Sequence, residues 1–378
     1  MTTQVEAKGP VGMVMMAGVA GLVISLAIVF GNLMSSGHAS FNTTSNGVTW
    51  GLPVVNYVFF VLTSTGLTFV ASLAMVFGFK EFYPIAKRCI WVALVTLIAG
   101  FASLALELGH PFRMLWAIPL SFQYLSPLNW MGVFYLIYLV LLLFKFQKVN
   151  ANDWNSSGSR TLGIASFIAV VVAHGTLGGV FGAMVMRPMW YGSLVPIYFL
   201  LTAAVSGAAF AVLITYLTYG SAGNMPEKVR KLMVGSMSKV FAAVLAIVIL
   251  AVVSRTVIGL WTNADGMQVW DHIVASPWYW IEIILMVAAF LMLINSSSPM
   301  LPAVMVIVSL FIGRYEFIVS GQVVPLFKGS WVPGLIEYTP SLTEWMITLM
   351  AFSIAFAGWA LGEKKLNLAA EPGGKESA

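Results

Sequence analysis

Residues 104–130 read LALELGHPFRMLWAIPLSFQYLSPLNW. A carboxylate (Glu107), an imidazole (His110), a guanidinium (Arg113) and a phenol (Tyr124) gather here between two long apolar runs, 86–106 and 128–146. Pro111, Pro119 and Pro127 forbid one continuous helix, because each lacks a backbone donor and restricts its predecessor. The stretch is therefore a turn between two elements. Its meaning depends on whether those elements sit in water or in lipid.

Composition decides for lipid. Hydrophobic residues make up 60% of the 378-residue chain, charged residues 9%, and the mean hydropathy is +0.91. A soluble surface needs roughly a quarter of its residues charged. Runs long enough to cross about 30 Å of hydrocarbon fall at 12–34, 53–79, 86–106, 128–146, 161–186, 193–219, 237–260, 274–294, 299–320 and 343–362. The fold class is all-α: a polytopic membrane protein of about ten transmembrane helices. The first run lacks a small-residue cleavage site and reads as a first membrane helix rather than a signal peptide.

Loop charge orients the chain. Lys80, Lys145, Lys148, Arg160, Lys228, Arg230, Lys231, Lys364 and Lys365 all fall on one side, whereas the loops of the other carry only Arg113, Arg187 and Lys328. The positive-inside rule places both termini in the cytoplasm and residues 104–130 at the outer mouth. The net charge of +5 is explained this way and is no sign of nucleic-acid binding. No GxxxxGK[ST] motif occurs, and no G-x-G-x-x-G follows a strand pattern, which argues against an ATP-driven pump. The single cysteine, Cys89, provides neither a disulfide framework nor the thiolates of an iron–sulfur cluster.

Ionisable groups at membrane depth are costly and by default mark a path, a pair or a site. His174, Arg255, Glu282, Arg314 and Glu316 are such groups, and Asn56, Tyr57, Thr63, Ser64 and Thr65 line the second span. Two bland readings stand beside a proton pathway. The arginines and glutamates neutralise one another between helices, and His174 and the hydroxyls serve packing. Bis-histidine haem needs two facing ligands, yet only His174 lies inside a span, with His38, His110 and His272 in loops or at helix edges. No metal-ligand pattern stands out. The outer cluster suits an amphipathic quinol arriving from the lipid. Quinol oxidation releases protons and electrons; Glu107 and His110 are the candidate proton acceptors, and the absence of a redox centre implies a partner subunit. A secondary transporter or ion-translocating subunit, and a purely structural anchor, remain as alternatives.

Several segments together resemble the NrfD/PsrC (polysulfide reductase-like) family of membrane subunits, in particular its ten-helix members from Dsr-type and hydrogenase-2-type complexes. They are LELGHPFRMLWAI (106–118), SPLNWMG (126–132), RPMWYGSLVPIYFLLTAAVSGAA (187–209), GRYEFIVSGQVVP (313–325) and YTPSLTEW (338–345). The resemblance implies two four-helix bundles with flanking helices and no haem or iron–sulfur cluster in this chain. It implies a quinone site, for menaquinone or ubiquinone, near the outer side. Glu107, Pro111 and Arg113 match the family's acid-and-turn pattern, with His110 at a position that is often basic. Asn56 and Tyr57 fall on the pocket-forming helix, and Tyr124 joins them as a quinone-site candidate. Arg255, Glu282, Arg314 and Glu316 resemble second-bundle groups proposed to carry protons. The implied partners are a ferredoxin-like iron–sulfur subunit and a catalytic molybdopterin, hydrogenase or multihaem cytochrome subunit, in a bacterial or archaeal cytoplasmic membrane.

The expected organisation is a first helix and outer loop (1–52), a first bundle with the quinone site (53–186), a second bundle (187–320), an outer loop and last helix (321–366), and a disordered cytoplasmic tail (367–378).

Overall fold

In lipid every backbone donor and acceptor must be satisfied within the chain, and continuous helices do this. The computed structural model describes residues 9–44, 47–109, 112–187, 189–262, 269–295, 298–324 and 334–373. Ten of its helices are long and apolar enough to cross a membrane, and this is a multi-pass membrane protein. They are α1 (Val11–Ser36), α2 (Leu52–Met75), α3 (Tyr83–Glu107), α4 (Pro127–Asn150), α5 (Ser157–Gly182), α6 (Val195–Tyr219), α7 (Ser238–Thr262), α8 (Pro277–Asn295), α9 (Met300–Ser320) and α10 (Leu342–Lys365). Proline occupies the first turn of α2, α3, α4 and α6, where its missing N–H is one the helix leaves unpaired anyway. A short helix, Glu227–Leu232, and a π turn, Met233–Met237, lead into α7.

The bundle is organised around α2. In α2 83% of the membrane-length window is buried, against 17% in α1, so one helix is the core and the other a lipid-facing flank. Around α2 stand α3, α5, α6, α9 and α10, while α1 packs along α10. Further contacts join α3 to α4, α4 to α5, α6 to α7, α7 to α8, and α8 to α9, which returns to α6. α2 meets α6 at Gly66 and Gly207, where a Cβ on either glycine would overlap the other's backbone. Thr63 and Ser206 share a hydrogen bond at 2.9 Å beside this crossing.

With ten spans, both ends of the helical region lie on one side, the terminal face. There the Gly9 amide donates to the Thr218 carbonyl at 2.9 Å, and buried Arg88 pairs with Glu363. The opposite side, the far face, carries residues 37–44, 47–51, 108–109, 112–126, 183–187 and 189–194, the short helix Val269–Ala275, and residues 334–341 before α10. Order continues past α10 beyond the point where the sequence places disorder. Leu368 is buried and Glu371 pairs with Lys228 at 3.3 Å, because an apolar side chain and a carboxylate anchor the start of the tail.

Candidate functional site

The far-face mouth is built on three carboxylate and amide anchors. Gln322, just past α9, accepts from the Thr49 amide (3.0 Å), the Thr49 hydroxyl (2.9 Å) and the Trp50 amide (2.9 Å), and donates to the Trp50 carbonyl at 3.0 Å. That clamp lays the entry to α2 against α9. Trp50 stacks on Trp190, ring centroids 5.5 Å apart. Glu344 begins α10 in a capping box with Ser341. Its carboxylate accepts from the Ser341 amide at 2.7 Å, the Asn42 amide at 3.2 Å and the Tyr338 hydroxyl at 2.5 Å. Gly51 fits against this carboxylate because it lacks a Cβ, which would overlap Glu344.

Glu107, the last residue of α3, reaches the same place from the other side. It faces the Gly51 amide and lies within electrostatic range of Glu344. One of its oxygens, Oε2, is buried with no hydrogen-bond partner among the described residues, although its backbone carbonyl meets His38 Nε2 at 3.1 Å. The two acids differ in what is left to do. Three donors occupy Glu344, whereas Glu107 keeps a buried, unmet acceptor, a situation that costs about 1–3 kcal/mol unless something fills it.

The other expected quinone-site residues separate into two environments. Asn56 and Tyr57 are buried on α2: Asn56 Nδ2 donates to the Thr348 hydroxyl at 2.9 Å, and the Tyr57 hydroxyl meets Met131 Sδ at 3.6 Å. Asn56 Oδ1 is left unpartnered. Arg113, at the start of the short helix Arg113–Leu120, and Tyr124, 76% exposed, lie on the outside of the far face and do not join them. His110 lies outside the described residues.

A second polar system occupies α5 to α9. Glu282, Arg255 and Glu316 line a cavity of about 30 Å³, with Thr256, Tyr279 and Trp270 around them. Among the described residues no direct ion pair joins these acids to Arg255 or Arg314, although Glu282 lies within electrostatic range of both. Aromatic rings hold the cations instead. Arg255 lies 4.7 Å from the Phe317 centroid and 5.2 Å from that of Trp270, and Arg314 lies 4.6 Å from Phe199 and 5.2 Å from Tyr198. Such cation–π contacts gain strength when desolvated. Arg255 also donates to the Met189 carbonyl at 3.1 Å, and Arg314 donates to the Thr202 hydroxyl. A Cβ at Gly313 would overlap Glu282, so this glycine lets the carboxylate lie against α9. His174 sits deeper, hydrogen-bonded through Nδ1 to Tyr135 at 2.9 Å and Thr65 at 3.2 Å.

Among the described residues no group of three or more His, Cys, Asp or Glu side chains converges as metal ligands would. Sequence reasoning passed over Glu344, Tyr338 and Gln322. The S-L-T-E spacing of 341–344 was the available signal for Glu344, since Ser followed three residues later by Glu is a helix-start pattern.

The fold and the far-face acids define a class: a ten-helix membrane subunit with buried polar groups at one mouth. Residues 40–325 match the family model described as polysulphide reductase, NrfD, and the chain belongs to that family of oxidoreductase membrane subunits. It is 26% identical to the C subunit of the selenate reductase of Mesobacillus selenatarsenatis, over 81% of this chain and 84% of that protein. It is 22% identical to the Hdr-like menaquinol oxidoreductase integral membrane subunit of Archaeoglobus fulgidus, over 87% of each chain. A putative dimethyl sulfoxide reductase membrane subunit of Halobacterium salinarum matches at 24% over 46% of this chain and 44% of that one.

Proposed function

We propose that this chain is the quinone- or quinol-interacting membrane subunit of a respiratory oxidoreductase complex. The observation that carries the reading is Glu107: a half-buried carboxylate at the far-face mouth with one oxygen that no group among the described residues satisfies. Such an oxygen is placed to accept a proton from a quinol hydroxyl, and family membership supports that substrate class. Quinol oxidation yields quinone, two protons and two electrons. Glu107 takes a proton, with His110 as the expected second acceptor; the electrons leave to an iron–sulfur subunit on the same face, which passes them to a catalytic subunit. Run in reverse, the same groups protonate a reduced quinone. A menaquinone-type substrate is in keeping with the name of the Archaeoglobus relative.

In this reading α2–α5 form the first four-helix unit and α6–α9 the second, with α1 and α10 flanking; the ring-like succession of helix contacts supports the division. Asn56 and Tyr57 form the floor of the quinone site, and Arg113 and Tyr124 stand apart from it on the outside of the far face, where a quinol would approach. His174, Arg255, Glu282, Arg314 and Glu316 hold and pass protons. The terminal face, which carries the excess of lysine and arginine, is cytoplasmic.

The test is Glu107→Gln in the native complex. The expected result is loss of quinol-linked electron transfer while the complex remains assembled with its cofactors. Turnover at the wild-type rate in that assembled variant overturns the assignment.

A further inference from the structure

A cation without a counter-charge lies at the terminal end of α3. Lys87 is 2% exposed, yet among the described residues its ammonium has no hydrogen bond and no ion pair. Other cations buried as deeply are met: Arg88 pairs with Glu363, Lys145 donates to the Ser159 hydroxyl, and Arg314 donates to that of Thr202. A buried ammonium left unpaired is costly, and an acceptor from outside the chain relieves that cost. A lysine that merely snorkels carries its head group out to water; Lys87 does not.

The side of α3 that bears Lys87 faces the end of α4. Tyr83, Lys87 and Trp91 recur at every fourth position and form one strip along the helix. Tyr83 meets the Trp154 ring edge-on, centroids 5.8 Å apart, and Trp91 meets Phe146, centroids 5.2 Å apart. Phe146 lies near the end of α4 and Trp154 in the turn that follows it, so Lys87 stands between two contacts with the same wall. On that wall the Trp154 Nε1 is itself buried, with no partner among the described residues, although a buried indole N–H ordinarily finds one.

The unmet groups here are both donors. The carboxylates nearest to them in the chain are turned to other groups: Glu81 accepts from the Ser236 hydroxyl at 2.8 Å, and Asp153 from the Ser156 hydroxyl at 2.8 Å and Lys148 at 3.1 Å. The first turn of α3 holds no acidic residue and no side-chain cap, so the positive end of the helix adds to the ammonium. Donors beside a positive helix end fit an anion that offers several oxygens, as a phosphate does.

The depth of the site and what lies beyond it favour a lipid as the source of that phosphate. Lys87 is about 6 Å along α3 from its start, within the head-group layer of a bilayer. About three turns further along the same side of the helix is Ile98, 53% exposed. Between them Trp91 donates to the Gly358 carbonyl of α10 at 2.9 Å while its ring lies on Phe146 of α4. α4 and α10 therefore flank this side of α3 as the walls of a groove, with Trp91 and Ile98 on its floor.

We propose that this crevice binds an anionic phospholipid, its phosphate oxygens accepting from the Lys87 ammonium and the Trp154 indole N–H and an acyl chain lying along Trp91 and Ile98. Basic pockets between membrane helices take head groups of this kind. The site is on the opposite face from Glu107 and depends neither on the quinone reading nor on a partner subunit.

The test uses the purified, delipidated full chain in detergent, titrated separately with dioleoyl phosphatidylglycerol, dioleoyl phosphatidylcholine and inorganic phosphate, and read by native mass spectrometry and thermal melts. Wild-type protein is expected to retain phosphatidylglycerol and to melt higher in its presence. It should respond little to phosphatidylcholine, whose choline cation opposes Lys87, or to inorganic phosphate, which has no chain for the groove. Lys87→Met is expected to weaken phosphatidylglycerol binding about tenfold and Trp154→Phe about threefold, whereas Lys87→Arg retains it. Lys239→Met, which removes an exposed lysine from the same face, leaves binding unchanged. Without lipid, Lys87→Met should melt no lower than wild type, because it removes an unpaired buried charge; Lys87→Gln replaces it should that variant not fold. Equal retention of phosphatidylcholine, equal stabilisation by inorganic phosphate alone, or wild-type binding by folded Lys87→Met overturns the site. So does a lipid-free Lys87→Met that melts below wild type, since the ammonium would then have a partner in the protein. None of these results bears on the Glu107 experiment.

Discussion

The Tyr338 hydroxyl donates to the Glu344 carboxylate at 2.5 Å and accepts from the Leu52 amide at 2.9 Å, joining the start of α10 to the start of α2. Burial and the facing Glu344 carboxylate both push the Tyr338 phenol above its ordinary range, so it stays a donor at every working pH. Tyr338→Phe leaves one carboxylate oxygen and one amide short of a partner, at a cost of about 1–3 kcal/mol. A lower thermal midpoint in detergent is expected, with quinol turnover of the assembled complex within about twofold of wild type. Glu107→Gln should show the reverse pattern, an unchanged midpoint and lost turnover. Equal effects of both variants on turnover would mean that the two acids act as one unit.

The α2–α6 crossing rests on backbone contact between Gly66 and Gly207. Small residues permit such approach, which is the main source of helix association in lipid. Gly207→Ala forces the two helices apart and should destabilise the fold by about 1–3 kcal/mol or more, as overpacking does. Gly175→Ala is the control, because a Cβ there meets nothing within 4 Å. Its thermal midpoint should stay level or rise slightly, since alanine is the better helix former.

The spans were readable because lipid imposes one rule, a run of about twenty apolar residues, and all ten runs in the sequence correspond to helices in the structure. Glu107 stood out for a similar reason, as an acid at the end of such a run. What sequence could not supply was pairing across the bundle. Glu344 lies far along the chain from Glu107, and nothing local says that Gly51 brings them together. Lys87 and Trp154 were hidden differently: a lysine at a helix start reads as a loop charge, and an indole just past a helix end reads as an interfacial anchor. Arg255 and Arg314 invited pairing with nearby glutamates, yet the rings of Phe199, Phe317 and Trp270 hold them, and aromatic residues are too common here to announce that role.

The loop between α4 and α5 carries a pH-sensitive contact. The Ser156 hydroxyl at 2.8 Å, Lys148 at 3.1 Å and the Ser156 amide at 3.2 Å hold the Asp153 carboxyl below its ordinary value of 3.8. A depressed folded value contributes stability above the unfolded value, and that contribution disappears as pH falls through the folded one. Amide exchange at Ser156 and Ser159 should therefore accelerate, relative to the neighbouring helices, once the pH drops below about 4. Asp153→Asn should show the faster exchange at neutral pH and lose the acid dependence. An acid response that survives in Asp153→Asn would assign the effect to another group.

At the terminal face, Arg88 and Glu363 form an ion pair whose side chains are 0% and 5% exposed. The Arg88 guanidinium also lies 5.6 Å from the Tyr219 ring centroid, and Glu363 accepts from the Thr218 hydroxyl at 3.1 Å. The pair thus ties α3 and α10 to the end of α6. Removing one partner of a buried pair strands the other charge and costs about 3–5 kcal/mol, whereas replacing both with apolar residues of similar volume is often neutral. Glu363→Gln should therefore lower the thermal midpoint in detergent more than the double variant Arg88→Met/Glu363→Leu does. If the double variant were the less stable of the two, the hydrogen bonds and attraction within the pair would outweigh the cost of taking both charges out of water.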